Sequence, residues 1–179
     1  MSNKILTNAD NLAQNSGFTL IEVVVAIFII IVGISGLFGL INTTYSYTTS
    51  NSMSMEAAYL GKEGIEIVKN IRDSNFLNVH YSGTGNWDDG LTGCVSGCEA
   101  DYKTTRANMS PYLGDYLRWD GNASFWNYTN GNAGPFKRKI TITSGPDVGE
   151  MGVAVEVFWD ERGRAHSFVV QENLYQWWQ

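Results

Sequence analysis

Proline, cysteine and histidine are scarce in this sequence. Its 179 residues include only 3 Pro, 2 Cys and 2 His. Cys94 and Cys98 stand in "CVSGC" without a second pair nearby, and His80 and His166 are far from them along the chain. Structural zinc takes four such ligands, so a disulfide between Cys94 and Cys98 is favoured over free thiols, and both over a metal. A disulfide belongs outside the cytoplasm, and closing so short a loop steadies the local turn more than the whole fold. There is no G-x-S-x-G elbow and no ordered Ser, His and Asp set, so nucleophilic catalysis has little support. No nucleotide-binding glycine loop is present. "DDG" (88–90) and "DGN" (120–122) lack the ligand series of an EF-hand, and turn chemistry explains both better. The expectation is no enzyme, no catalytic residues, no cofactor, no metal and no small-molecule substrate.

Positive charge is short as well. Twelve Lys and Arg face 18 Asp and Glu, giving a net charge of −6. Such a chain repels phosphate, which argues against nucleic acid as a partner.

What the sequence does have is an apolar run. Val23 to Ile41 carries no charge, with Ser35 and three glycines as its only members that are neither aliphatic nor aromatic. As a helix it would span roughly 28 Å, close to the ~30 Å hydrocarbon core of a bilayer. A buried core helix would show a polar face, and this run has none. An ordinary secretory signal would be shorter and followed by an A-x-A site, whereas "INTTYSY" follows here. A simple single-pass anchor stays open on composition alone. Lys4 is the sole basic residue before the run and Lys62 the first after it, so the positive-inside rule gets little purchase. A cytoplasmic N-terminus is favoured, because the segment before the run is short and the bulk of the chain looks exported.

"GFTLIEVVVAIFIIIVGI" resembles the N-terminal signature of type IV pilins and type II secretion pseudopilins. Gly17, Phe18, Thr19, Leu20, Ile21 and Glu22 supply the ordered hexapeptide, and the apolar run follows at once. The resemblance implies that a prepilin peptidase removes residues 1–17 on the cytoplasmic side, cutting between Gly17 and Phe18, and that the new Phe18 amine is N-methylated. It implies that Glu22 guides assembly by pairing with the N-terminal ammonium of a neighbouring subunit. An unpaired charge in a membrane costs at least ~2.5–3.5 kcal/mol, which such a pair offsets. The partners implied are other pilin or pseudopilin subunits, the peptidase, an inner-membrane assembly platform and the lipid bilayer. The leader has no Lys or Arg near the cut, unlike many family members. The kinking Pro of many major pilins is also absent, and Gly33, Gly36 and Gly39 occupy that region. Glycines there could loosen the helix or allow close helix packing.

Residues 56–76 read as an amphipathic helix, with Ala57, Leu60, Gly64, Ile67 and Ile71 on one face. Lys62–Glu66 and Lys69–Asp73 are expected as i,i+4 pairs on the other side. The polar stretch 42–55 is expected to continue the helix at lower stability. This second helical tract is similar to that of minor pilins of the PilV-like and pseudopilin-I-like groups, which tilts the reading toward a minor subunit.

Val153, Val155, Val157 and Trp159 alternate with their neighbours, so 152–171 reads as a β-hairpin turning at "DERGR". "KRKITITS" (137–144) supplies a further strand with Ile140 and Ile142 on one face. The fold class expected is α+β. A long N-terminal helix, membrane-spanning in its first half and amphipathic in its second, packs on a small antiparallel sheet. That packing, a three-stranded sheet on the helix, is what the resemblance implies. The chain divides into a leader (1–17), a membrane and filament-core helix (18–41), an amphipathic continuation (42–77), a Gly-, Asn- and aromatic-rich loop region (78–136) and a sheet with its tail (137–179). "LYQWWQ" is expected to close the core or lie on the helix. In the loop region, Trp87, Trp119, Trp126 and Tyr128 are expected as core anchors rather than as a stacking surface for sugars or bases. Asn108, Asn122 and Asn127 fit the glycosylation tripeptide, a common chance pattern.

The function expected is a structural, minor prepilin-like subunit of a type IV pilus or type II secretion pseudopilus. It would sit in the cytoplasmic membrane with its head outside, and then enter an extracellular or periplasmic filament. The alternatives are a single-pass anchored adhesin that binds through the aromatic loops, and a DNA-uptake pilin.

Overall fold

The structure is a computed structural model, and it describes residues 17–105 and 109–177. The leader residues 1–16, Lys4 among them, and the tripeptide start at Asn108 lie outside the described residues.

The described residues form one long α-helix, a short 3-10 turn and a seven-stranded antiparallel sheet, an α+β fold of pilin-like architecture. Helix α1 runs Leu20–Ser82. The strands are β1 (Cys98–Glu99), β2 (Ser110–Pro111), β3 (Tyr116–Asp120), β4 (Phe125–Asn127), β5 (Asn132–Ser144), β6 (Glu150–Glu161) and β7 (Arg164–Tyr175). Contacts divide the chain into two compact units, residues 1–47 and 48–179.

In the second unit, β5, β6 and β7 form the meander that the alternating sequence predicts. Ile140 pairs with Val155, and Val155 with Val170. Along β6 every second residue from Met151 to Trp159 is buried, as period-two geometry requires. The hairpin closes through Arg162 and Gly163, both at positive φ (54° and 77°), with Glu161 opposite Arg164. Two such residues give the turn a twist that matches its strands.

The sheet has seven strands where three were expected. The four additional ones are β1 to β4, two to five residues each, and they fall inside the 78–136 stretch. β1 pairs with β5 at Cys98–Ile140, and β3 pairs with β5 through Tyr116, Arg118 and Trp119.

The core lies between the sheet and the second-unit part of α1. Ala57, Leu60, Ile67, Val68 and Ile71 bury against Phe136, Ile140, Ile142, Val153, Val155, Val157 and Leu174. Gly61 and Gly64 permit the approach. A Cβ on Gly64 would lie 2.7 Å from Val155 Cγ1, and one on Gly61 2.9 Å from Val170 Cγ2.

The expected charge pairs are replaced. Lys69 takes Glu66 (3.3 Å) and Glu172 of β7 (2.8 Å), and Asp73 takes its neighbour Arg72 (2.8 Å). A cross-element partner competes with the i,i+4 neighbour because α1 lies on the sheet. The bond to Glu172 is the first cause of a Lys69 pKa above its usual range.

Candidate functional site

The first unit holds the Gly17–Glu22 segment. Gly17, Phe18 and Thr19 are non-helical, and α1 begins at Leu20. Thr19 sets that boundary. Its Oγ1 accepts a hydrogen bond from Glu22 N (3.3 Å), and its carbonyl accepts one from Val23 N (3.2 Å). This is N-capping, which satisfies donors that the first turn leaves without helical partners. Thr19 was legible as a member of the hexapeptide but not as a cap, although T-x-x-E before an apolar run is a readable cap signature. Glu22 stands in the first turn, where a carboxylate also complements the helix dipole.

Phe18 is 80% exposed, and nothing lies within 4 Å of a Cβ placed on Gly17. Among the described residues, nothing crowds either side of the Gly17–Phe18 bond. Glu22 is exposed, and no ion pair among the described residues involves it.

Beyond Glu22 every large apolar side chain of the run, from Val23 to Ile41, is exposed. The stretch is long and apolar enough to cross a membrane, and none of its most apolar window is buried. Two hydroxyls bond back into the helix, Ser35 within the run to Ile31 O (2.8 Å) and Thr43 just beyond it to Gly39 O (2.9 Å). Internal satisfaction of this kind is what a backbone and its side chains need in lipid.

The remaining residues singled out in the sequence lie in the second unit. Cys94 and Cys98 are joined as a disulfide, with Cα atoms 5.2 Å apart. The bond ties the end of a short 3-10 turn to β1. Trp87 stacks near Phe76 of α1, with centroids 6.1 Å apart, and Trp126 meets Phe136 edge-on at 6.0 Å. Tyr128 packs against the core and donates to Arg138 O (3.2 Å). These three are anchors of the head, and Trp119 is 43% exposed. Leu174 is buried, and Trp177 reaches Phe76 at 5.1 Å. Asp120 accepts from Asn122 N and Ala123 N, a side-chain turn that explains "DGN". Among the described residues no cluster of three or more His, Cys, Asp or Glu is placed to hold a metal.

Arg138 is the residue that sequence reasoning passed over. It is fully buried on the core face of β5, in phase with Phe136, Ile140 and Ile142. Its guanidinium donates to Leu60 O of α1 (3.0 Å) and to Ala100 O (2.6 Å), and pairs with Glu63 (3.2 Å). One side chain thus joins helix, sheet and the chain after β1. Burial is the first cause of a Tyr128 phenol pKa pushed well above its usual range, with Glu99 and Asp101 adding to it and Arg138 opposing.

No curated protein and no solved structure matches this chain. Residues 12–38 match the family model of the prokaryotic N-terminal methylation motif, so this chain, with its capped and exposed apolar helix, carries the type IV prepilin-like signature.

Proposed function

We propose that this chain is a minor prepilin-like subunit of a type IV pilus or type II secretion pseudopilus. The observation that carries the proposal is a coincidence of position. The matched motif (12–38) spans the non-helical Gly17–Thr19 segment and the start of α1, where every large apolar side chain from Val23 to Ile41 is exposed.

The chemistry follows from the residues. A prepilin peptidase cuts between Gly17 and Phe18, where the glycine lets a protease approach the backbone. The released Phe18 amine has a pKa near ~7.7–8.0, is largely protonated at neutral pH, and is then methylated. Glu22 lies one helical turn away. Its carboxylate pairs with the ammonium of an adjacent subunit, which offsets the cost of a charge in lipid and selects one stagger between helices. Residues 18–41 first hold the subunit in the cytoplasmic membrane and then pack into the filament core. The assembly platform extracts the subunit, and the head stays on the outer side, where the Cys94–Cys98 bond is stable. The 78–136 stretch then faces the filament surface.

N-terminal sequencing and intact mass of the chain from its native membrane test this directly. The expected start is N-methyl-Phe18. A chain that still begins near Met1 while the peptidase is active overturns the reading. With processing established, Glu22→Ala is expected to be cleaved and methylated yet absent from filaments.

A further inference from the structure

The sheet ends differently on its two sides. One side ends in β2 and β4, which are 2 and 3 residues long. The other ends in β7, 12 residues long, whose one strand neighbour among the described residues is β6. Short strands, Lys, Pro and bulges are the usual safeguards of an edge against pairing with another chain. β7 has none of them. "RAHSFVVQENLY" contains no Lys and no Pro, and its register with β6 runs from Arg164 to Tyr175 without a shift.

The hairpin fixes which backbone groups face outward. Arg162 and Gly163 make a two-residue turn, so Glu161 and Arg164 exchange ladder bonds, and every second residue of β7 does so after them. Ala165, Ser167, Val169 and Gln171 therefore turn N–H and C=O away from β6, and all four are exposed. A line of alternating donors and acceptors is matched by another strand.

The edge is complementary to itself. Set antiparallel against a second copy about Phe168, Ala165 meets Gln171 and Ser167 meets Val169, so outward residues meet outward residues. On the face toward α1 the same register sets Phe168 against Phe168 and Arg164 against Glu172, the latter at both ends of the paired segment. Lys69 is shared by Glu66 and Glu172, one cation for two carboxylates, and the Glu172 side chain is 41% exposed. A second cation at Glu172 completes that balance. Arg164 is exposed, stands across its own hairpin from Glu161, and has N–H donors enough for two carboxylates. Sliding the register by two residues either way keeps the ladder but sets Arg164 against Val170 or Leu174.

We propose that the outer edge of β7 is an interaction surface for a second copy of this chain, which adds its own β7 antiparallel and makes one sheet of two heads. In the second unit α1 advances in the same direction as β7, since Gly61 lies at Val170, Lys69 at Glu172 and Phe76 at Trp177. Reversing β7 therefore reverses the head part of α1. The contact suits copies that approach from opposite sides, on two facing membranes or, on the function proposed above, on two filaments.

The test uses the full chain at one copy per phospholipid nanodisc, with pairing of discs followed by sedimentation. Discs are expected to pair reversibly as concentration rises. Val169→Pro removes an outward N–H and no bond to β6, so it should weaken pairing about tenfold or more while the thermal melt stays that of the wild type. Arg164→Glu, which sets two carboxylates opposite each other, should weaken it about fivefold. Under mild oxidation Phe168→Cys should cross-link two copies, whereas Asn173→Cys, beyond the paired segment, should not. If Val169→Pro lowers the melt, the two cysteine variants decide. The proposal is overturned if discs stay single, if a folded Val169→Pro pairs as the wild type does, or if Asn173→Cys cross-links as readily as Phe168→Cys. None of these readouts involves the Gly17–Phe18 cut, so loss of the filament reading would leave the result standing.

Discussion

One helix carries two sets of glycines at three-residue spacing, and they have opposite surroundings. Around Gly33, Gly36 and Gly39 nothing lies within 4 Å of an added Cβ. At Gly61 and Gly64 the same atom would collide with Val170 and Val155. The apolar side chains divide the same way, exposed from Val23 to Ile41 and buried at Ala57, Leu60, Ile65, Ile67, Val68 and Ile71. Local sequence therefore makes helix in both units, and the difference lies in whether the chain supplies its own cover. Where it does, the apolar stripe is one-sided and a sheet meets it. Where it does not, the apolar surface runs all round, as a lipid or filament environment requires.

The strongest way to break this comparison is Arg138→Ala. It leaves the carbonyls of Leu60 and Ala100 without their donor and Glu63 without its partner, and is expected to cost about 3–5 kcal/mol of head stability. Urea denaturation of the full chain in nanodiscs reads this loss, and a neutral result would mean that apolar packing alone holds the sheet to α1. Next comes the paired test Gly64→Ala and Gly33→Ala. The first overpacks against Val155 and should cost about 1–3 kcal/mol; the second should be neutral or gain up to about 1 kcal/mol from helix propensity. Equal effects in thermal melts would erase the distinction between the two sets of glycines.

A pH series sharpens the buried side. The folded pKa of Tyr128 is raised, so its contribution is fully present below the ordinary tyrosine pKa of about 10 and is lost as pH rises beyond it. Across that window the wild-type chain should lose about 1.4 kcal/mol per pH unit more than Tyr128→Phe does. Parallel denaturation midpoints for the two chains from pH 8 to 12 would contradict the burial of the phenol. The smallest effect belongs to the exposed side. Thr19→Ala should weaken the first turn by about 1 kcal/mol, seen as faster amide exchange at Glu22, and Thr19→Ser should retain the cap.

Much of this arrangement was legible because period and environment agreed. The stripe from Ala57 to Ile71 and the alternation from Val153 to Trp159 each mark a face that the fold buries. The hexapeptide Gly17–Glu22 was readable because its residues are adjacent in sequence. Strands β1 to β4 were not, since two to five residues cannot display a period and their pairing is set by β5. Arg138 was visible in phase with Ile140 and Ile142, but a charge in "KRKITITS" reads as solvated unless its acceptors are known. Those acceptors lie on other elements. Lys69 chose Glu172 for the same reason, a partner that no local pattern contains.

The Arg138–Leu60 bond also has a consequence in time. Its ends are 78 residues apart in the chain. At about 5–20 residues per second, synthesis needs roughly 4–16 s after Leu60 before Arg138 exists. Through that interval the stripe from Ala57 to Ile71 has no sheet to meet. The head is thus a fold of high contact order whose helix is finished long before its cover, and this nascent apolar surface is the stretch on which a holding chaperone would act.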